Sequence, residues 1–285
     1  MNNMPQSLYN NKKMENDSNG QKKWGLSGST LKLIAVITML IDHIGAAVLA
    51  RMLRTYDRLP GFITWQGMWD YFPWVFEWET LYIVYQVMRK IGRIAFPIYC
   101  FLLVEGFGKT RNVKKYALRL GMFSLISEVP FDLAFNGVIW DISYQNVFFT
   151  LFTGLVVMLC CDRIMQKSWS ASVAKNAWIR ILLVFFSVAA GGCAAEALHT
   201  DYGAKGVICI MVLYLLRNKK PLQLAGGAVS FLWENPAPLA FLPIACYNGR
   251  RGFNLKYIFY IFYPLHLFLL YLLCVWLGLG GISAL

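Results

Sequence analysis

Nine apolar runs, separated by short polar segments, constrain the fold of this chain more than any other feature. They lie near residues 31–50, 91–108, 115–136, 146–162, 178–198, 203–216, 221–233, 236–247 and 257–280. Because 58% of the residues are hydrophobic and only 15% are charged, the chain has too little polar surface to cover a soluble globule. A run of about 20 apolar residues can cross a bilayer as a helix. The sequence therefore predicts an all-α polytopic integral membrane protein with about nine transmembrane helices, in the cell (inner) membrane.

The distribution of basic residues predicts the orientation of these helices. If the N-terminus is cytoplasmic, most of the 27 lysines and arginines fall in cytoplasmic segments, and the outer loops at 137–145 and 234–235 contain none. This is the positive-inside pattern of membrane proteins. Topology therefore explains the net charge of +12, and no nucleic-acid partner is predicted, since no nucleic-acid motif accompanies the charge.

Two short runs leave the number of spans open. The runs at 221–233 and 236–247 are separated only by Glu234, Asn235 and Pro236. Each is shorter than a usual span, so the pair forms either two spans or one re-entrant hairpin of half-helices.

Two polar regions flank the first apolar run. Residues 1–30 are rich in Asn, Lys, Ser and Gln, which predicts a disordered basic cytoplasmic tail before a single transmembrane domain at 31–285. The loop at 51–90 is predicted to be extracytoplasmic. It has tryptophans every four or five residues, at Trp65, Trp69, Trp74 and Trp78. This spacing favours an amphipathic stretch in the outer headgroup layer, or a lid that packs on the protein's own spans.

Lys32 and His43 are two ionisable residues in the first apolar run. They are eleven positions apart, about 1100° of helical rotation, so both side chains lie on one face about 16 Å apart. Ionisable groups inside a span usually face the bundle interior, where they serve ion pathways, proton relays or catalysis. The pair therefore indicates a functional site, although Lys32 can also extend to the inner interface as an ordinary snorkelling lysine.

Four other polar residues are predicted at the depth of His43. At about 1.5 Å per residue, His266, Glu128 and Asp132 reach a layer at or just outside the midplane, and Arg93 descends toward it. We expect these residues to share one cavity. The alternatives are an ion pair of Arg93 with Glu128 or Asp132, and a His266 that only packs.

Other chemical motifs are absent from the sequence. The seven cysteines lie in apolar runs without CxxC or Cys/His spacing, so no metal site is predicted. No glycine-rich phosphate loop, serine elbow or HExxH motif occurs.

Seven strings of the sequence resemble the TraX family of conjugal-transfer membrane proteins. They are LKLIAVITMLIDHIGA, IGRIAFPIYCFLLVEGF, RLGMFSLISEVPFDLAF, QNVFFTLFTGL, DYGAKGVI, CYNGRRG and KYIFYIFYPLHLFLLYLL. The resemblance extends from Leu31 to Leu273 and omits the N-terminal tail and loop 51–90. The family takes its name from a protein associated with acetylation of the pilin N-terminus.

A wider resemblance concerns the first span. Membrane acyltransferases of the acyltransferase-3 and heparan-N-acetyltransferase type have a basic residue there, followed after ten intervening positions by an essential histidine. Lys32 and His43 match that spacing, with a lysine in place of the usual arginine. Lysine offers a point charge rather than a bidentate fork. The resemblance implies acyl transfer from cytoplasmic acetyl-CoA to an acceptor on the other side of the membrane, which is a pilin-like peptide, a glycan or a lipid.

This implied activity assigns roles to the candidate residues. His43 would act as a general base or carry the acyl group, and Arg93 would stabilise an oxyanion or bind an acceptor carboxylate. Glu128, Asp132 and His266 would complete the catalytic cluster. Cationic residues would bind the co-substrate acetyl-CoA, namely Lys32, Lys109, Arg111, Lys114, Arg250 and Arg251.

Two other functions use the same features. A proton-coupled transporter or permease would use the intramembrane His, Glu, Asp and Arg for ion coupling. A non-catalytic membrane scaffold of a conjugation or secretion apparatus would need none of them.

Overall fold

Helices form all the regular secondary structure in the part of the protein that the structure describes. The structure is a computed structural model. It describes residues 24–58, 78–166, 177–253 and 256–279, without the side chains of 55–58 and 256–258. Two isolated β-bridges join Leu26 to Tyr247 and Gln145 to Thr200. The predicted all-α class is therefore confirmed, while residues 1–23, Trp65, Trp69 and Trp74 lie outside the described ranges.

Eleven α-helices occur in these ranges, with two short segments of other helix types. In chain order they are α1 (Gly28–Ile44), a π-helical segment (Gly45–Leu49), α2 (Ala50–Arg58), α3 (Trp78–Gly92), α4 (Ala95–Lys109), α5 (Val113–Phe135), α6 (Val147–Gln166), α7 (Ala177–Ala197), α8 (Gly203–Leu215), α9 (Lys220–Ser230), a 3₁₀ segment (Ala237–Ala240), α10 (Phe241–Ala245) and α11 (Lys256–Trp276).

Five helical stretches are long and apolar enough to cross a membrane. They are Gly28–Arg54, Trp78–Lys109, Val147–Gln166, Ala177–Ala197 and Phe259–Trp276. Helix α5 is also long, since its 23 residues extend about 35 Å, but it is less apolar. The protein is therefore an integral membrane protein by its helices, and the predicted count of nine spans is not confirmed.

Six helices form a closed ring. Neighbours around the ring are α1, α4, α8, α6, α5 and α11, and α11 returns to α1. Helix α7 packs outside the ring against α6 and α8, and α3 packs on α1. The largest buried apolar cluster fills the ring, with Leu31, Ile98, Leu155, Ile210 and Leu213 each fully buried.

Basic residues collect at one end of the ring, which we call the basic end. There Lys109 Nζ donates to the Tyr247 hydroxyl at 2.7 Å and to the Gly249 carbonyl at 2.8 Å. Lys220 Nζ donates to the carbonyls of Ala245 and Tyr247, at 3.0 Å each. The opposite end, which we call the loop end, contains the connections at 136–146 and 198–202.

Residues 220–247 begin and end at the basic end. Helix α9 has 11 residues, about 16 Å, and α10 has five, so neither crosses a hydrocarbon core about 30 Å thick. Of the two predicted alternatives, the short lengths favour half-helices that enter and return. We call residues 220–247 the re-entrant hairpin.

Two boundaries in the structure differ from the expected ones. The disordered tail was predicted to reach residue 30, but Ser27 caps α1 by accepting from Thr30 N at 3.2 Å, and Leu26 N donates to the Cys246 carbonyl at 2.8 Å. The loop was predicted to start at 51 and end at 90, but 51–58 continue the first helix and α3 begins at Trp78. Runs of polar and aromatic residues were interpreted as loop because periodicity alone does not show how far a helix extends beyond the hydrocarbon.

Gly227 tests the packing of the re-entrant hairpin. A Cβ atom there would lie 2.3 Å from a ring carbon of Phe241, and Leu213 would be 2.8 Å away. We expect Gly227→Ala to cost about 1–3 kcal/mol by overpacking, which exceeds its gain in helix propensity. The thermal unfolding midpoint in detergent should fall. The control Gly108→Ala adds a Cβ with no atom within 4 Å and should leave the midpoint equal or higher, so equal midpoints for the two variants would contradict this packing.

Candidate active site in the helix bundle

A cavity of about 230 Å³ opens in the half of the bundle nearest the loop end. It combines charged, aromatic and small apolar side chains, which is typical of a ligand site. The lining residues are Met39, Asp42, His43, Ala46, Arg89, Gly92, Arg93, Ala95, Phe96, Tyr99, Phe131, Phe135, Asn136, Tyr144, Val147, Asp201 and Tyr202.

His43 reaches the cavity from the last turn of α1 and contacts His266 of α11. The distance from His43 Nδ1 to His266 Nε2 is 2.7 Å. The two rings are nearly parallel, with centroids 5.0 Å apart. On its other side, His266 Nδ1 lies 2.7 Å from the carbonyl oxygen of Phe262. The structure therefore brings together two of the predicted site residues.

The backbone of the first span changes geometry directly after His43. The π-helical segment Gly45–Leu49 replaces the α-helical pattern. Single π turns inside helices are frequent at functional sites. After this segment, Arg51 is buried and its Nη2 donates to the carbonyls of Leu133 and Ala134, at 3.0 and 3.1 Å. Arg51 was predicted in a loop, but it satisfies carbonyls at the end of α5 that have no intrahelical partner.

Apolar side chains enclose His43 on the side of α5 and α11. Phe135 and Tyr263 meet the imidazole edge-on, with ring centroids at 5.4 and 5.8 Å. Tyr263 belongs to a buried cluster with Met39, Ala95 and Leu267, and Phe135 packs against that cluster. Apolar contacts therefore hold the imidazole on this side.

Two ion pairs lie beside His43, and Asp42, Arg89 and Arg93 of these pairs line the cavity. Arg89 Nη1 lies 2.6 Å from Asp42 Oδ2, and Arg93 Nε lies 2.8 Å from Glu234 Oε1. The chain between α3 and α4 breaks into a turn at Arg93 and Ile94, which places Arg93 at the cavity. The predicted alternative, a pair of Arg93 with Glu128 or Asp132, is wrong because the tip of the re-entrant hairpin supplies the carboxylate.

The loop end closes the cavity with two connected loops. The Tyr144 hydroxyl donates to Asp201 Oδ1, and Gln145 N donates to the His199 carbonyl at 2.9 Å. Burial raises the pKa of the Asp201 carboxyl and also the pKa of the Tyr144 phenol. The phenol therefore stays protonated at neutral pH and remains a hydrogen-bond donor in the rim of the cavity.

Glu128 and Asp132 hold a loop and do not line the cavity. Both side chains are fully buried on α5. Glu128 Oε2 accepts a hydrogen bond from the side-chain amide of Asn146, which precedes α6. Asp132 Oδ2 accepts from the backbone N–H of Asp141 at 2.7 Å. The structure therefore places these two predicted residues behind the cavity wall, where they position the loop that carries Tyr144.

The predicted cofactor-binding residues occupy different surroundings. Lys109 has its three donors satisfied, because Glu105 Oε2 also lies 2.8 Å from Nζ in addition to Tyr247 and Gly249. Lys32 Nζ lies over the Phe259 ring at 5.4 Å from its centroid. The exposed side chains are Arg111, Lys114, Arg250 and Arg251.

Backbone hydrogen bonds join the loop of Arg250 and Arg251 to the start of α1. Gly28 N donates to the Arg250 carbonyl at 2.8 Å, and Ser29 N donates to the Arg251 carbonyl at 3.0 Å. These bonds satisfy two N–H groups in the first turn of α1. The basic loop is therefore fixed relative to the helix that carries His43.

Several residues of the site were not predicted. Arg89 was expected in a loop, and Glu234, Tyr144 and Asp201 had no predicted role. Asp42 offered a signal, since an acid within a span needs a partner. Among the residues described, no three His, Cys, Asp or Glu side chains form a metal-binding group.

Gly92, the last residue of α3, tests the contact between α3 and Asp42. A Cβ there would lie 2.1 Å from Asp42 Cβ and 2.3 Å from its Oδ1. Gly92→Ala should displace Asp42 from Arg89 and cost about 1–3 kcal/mol. The thermal unfolding midpoint in detergent should be lower than that of Gly45→Ala, whose added Cβ meets Met88 only at 3.2 Å. The reverse order of midpoints would rule out this close approach of α3 to Asp42.

Comparisons with known proteins agree with the residue patterns. A search of solved structures finds no match. The chain is 28% identical over 269 residues to a protein of Dichelobacter nodosus named probable fimbrial assembly protein FimC, serogroup H1, covering 86% of this chain and 94% of that protein. The family model described as TraX protein matches residues 27–274. The chain therefore belongs to the TraX protein family.

Proposed function

We propose that this protein is a membrane-embedded acyltransferase. It moves an acetyl group from acetyl-CoA at the basic end, on the cytoplasmic side, to an acceptor that enters from the loop end. The observation that carries this proposal is the position of His43, a histidine beside two arginines in the wall of a cavity inside the bundle. The spacing of Lys32 and His43, which resembles that of transmembrane acyltransferases, supports the same chemistry.

The residues of the cavity suit acyl transfer. His43 removes a proton from the acceptor amine or hydroxyl while that group attacks the thioester carbonyl. The positive charge of Arg93, with that of Arg89, lowers the energy of the oxyanion that forms. The carbon–sulfur bond then breaks, and the thiolate of CoA takes the proton from His43. In a variant of this route, His43 Nε2 first carries the acetyl group itself.

Acetyl-CoA would bind through its phosphates at the basic end. Arg250 and Arg251 are exposed on a loop held by Lys109 and Lys220, and guanidinium groups bind phosphates through paired hydrogen bonds. His43 lies 15 residues along α1 from Gly28, about 22 Å. The thioester arm would cover this distance between the helices.

The name of the Dichelobacter nodosus relative suggests the biological setting. That protein is named for fimbrial assembly. We propose that the acceptor belongs to a fimbrial or pilus assembly system, as the name of the family also suggests. A peptide amine suits the cavity because the carboxyl oxygens of Asp42 and Asp201 in its lining can accept hydrogen bonds from an N–H group.

A proton-coupled transporter is the second candidate. The break between α3 and α4 and the re-entrant hairpin favour it, because discontinuous helices surround the binding sites of many transporters. A transporter would move a solute without consuming the thioester.

Replacement of His43 tests the proposed reaction. Purified protein in proteoliposomes should transfer the radiolabelled acetyl group of acetyl-CoA to acceptor peptide, and His43→Ala should lower the rate at least about 100-fold, since it removes the base. The control is His199→Asn, because His199 is exposed, lies outside the cavity lining and has φ of +49°, a conformation that asparagine tolerates.

The two candidate functions give different results in this assay. Unimpaired transfer by His43→Ala would refute the proposed role of the histidine. Solute flux into the vesicles without thioester consumption would support the transporter.

A second test concerns the donor site. Arg250→Ala/Arg251→Ala should raise the KM for acetyl-CoA about tenfold or more, because it removes charge-assisted contacts with the phosphates, and should change kcat little. The control Arg163→Ala removes an exposed charge in the last turn of α6, which is also at the basic end. Equal KM values for the double variant and the control would exclude this loop as the phosphate site.

A further inference from the structure

The hydrogen bond between His266 and Phe262 fixes the position of one proton. A carbonyl oxygen only accepts hydrogen bonds, and His266 Nδ1 lies 2.7 Å from the Phe262 oxygen. His266 Nδ1 therefore carries hydrogen. In a neutral imidazole one nitrogen donates and the other accepts, so His266 Nε2 has a free lone pair.

The hydrogen bond between the two histidines then determines which nitrogen of His43 carries its proton. Since His266 Nε2 accepts, His43 Nδ1 at 2.7 Å must donate, which leaves His43 Nε2 without a proton. Among the described residues, the bond to His266 is the hydrogen bond that the His43 ring makes. His43 Nε2 is thus the nitrogen available to a ligand in the cavity.

We propose that His266 is the positioning residue that holds His43 in this tautomer and receives its proton during turnover. The inference rests on the proposed function, and it assigns the reacting atom as His43 Nε2. The surroundings support the role: His266 is only 5% exposed, and its ring stacks on Phe262 with centroids 4.7 Å apart. The ring therefore has little freedom to leave the bond with His43.

The proton transfer balances as follows. The acceptor nucleophile gives its proton to His43 Nε2 as its bond to the thioester carbon forms. The proton on His43 Nδ1 moves to His266 Nε2, so the positive charge passes to the ring farther from the cavity. When the carbon–sulfur bond breaks, the proton on His266 Nε2 returns to His43 Nδ1. The CoA thiolate takes the proton from His43 Nε2.

Nitrogen NMR tests the tautomer without any enzymatic assay. The chain has three histidines, so His199→Asn leaves only His43 and His266 to report in a ¹⁵N-histidine sample. At neutral pH we expect both Nδ1 atoms to be protonated, both Nε2 atoms to be unprotonated, and a coupling across the bond from His43 Nδ1 to His266 Nε2. An unprotonated His43 Nδ1 would overturn the proposal.

Two variants of His266 separate positioning from proton acceptance. His266→Gln retains an oxygen that accepts from His43 Nδ1, but it cannot take the proton. His266→Leu removes both abilities. We expect acetyl transfer to fall about tenfold with glutamine and about 100-fold with leucine, and His43 to keep its Nδ1 proton only in the glutamine variant.

The outcomes distinguish this inference from the proposed function. If leucine and glutamine lower transfer equally and His43 keeps the same tautomer in both, His266 has only a packing role and the inference fails. If neither the native protein nor any variant transfers acetyl groups, the proposed function fails. The NMR result then still decides whether His266 sets the tautomer of His43.

Discussion

The need to pair charges inside an apolar bundle determines the arrangement of the loop-end half of this protein. An unpaired charge in such surroundings costs several kcal/mol, so each buried charged group requires a partner. The partners come from elements distant in sequence: α3 supplies Arg89 to Asp42, and the re-entrant hairpin supplies Glu234 to Arg93. These pairs fix α1, α3, α4 and the hairpin around one cavity. The charges therefore specify the architecture of the site as well as its chemistry.

The fold could be predicted from the sequence to the level of class, and the site only in part. Runs of apolar residues predicted a helical membrane protein correctly because backbone polar groups in lipid must bond within a helix. Depth arithmetic along spans placed His43 and His266 in one layer, and the structure joins them at 2.7 Å. Both predictions need only the helical rise per residue and the direction in which each span crosses the membrane. They do not require knowledge of which helices are neighbours.

The rest of the site depends on contacts that a linear pattern does not contain. Glu128 and Asp132 were expected at the cavity because they share a helical face, but that face points to the loop at 141–146. Glu234 was interpreted as part of a turn, although the short re-entrant hairpin brings it to Arg93. The packing of α3 and the re-entrant hairpin against the ring decides which acid meets which arginine. The sequence alone shows only that the buried charged residues need partners.

Irregular backbone flanks the histidine pair on both helices, and this makes their contact sensitive to helix movement. Pro264 interrupts the hydrogen bonds of α11 two residues before His266, and the π-helical segment begins two residues after His43. The start of α1 is bonded to the loop of Arg250 and Arg251. These bonds join the basic loop directly to the helix that carries His43, so the proposed donor site and the histidine pair share one helix.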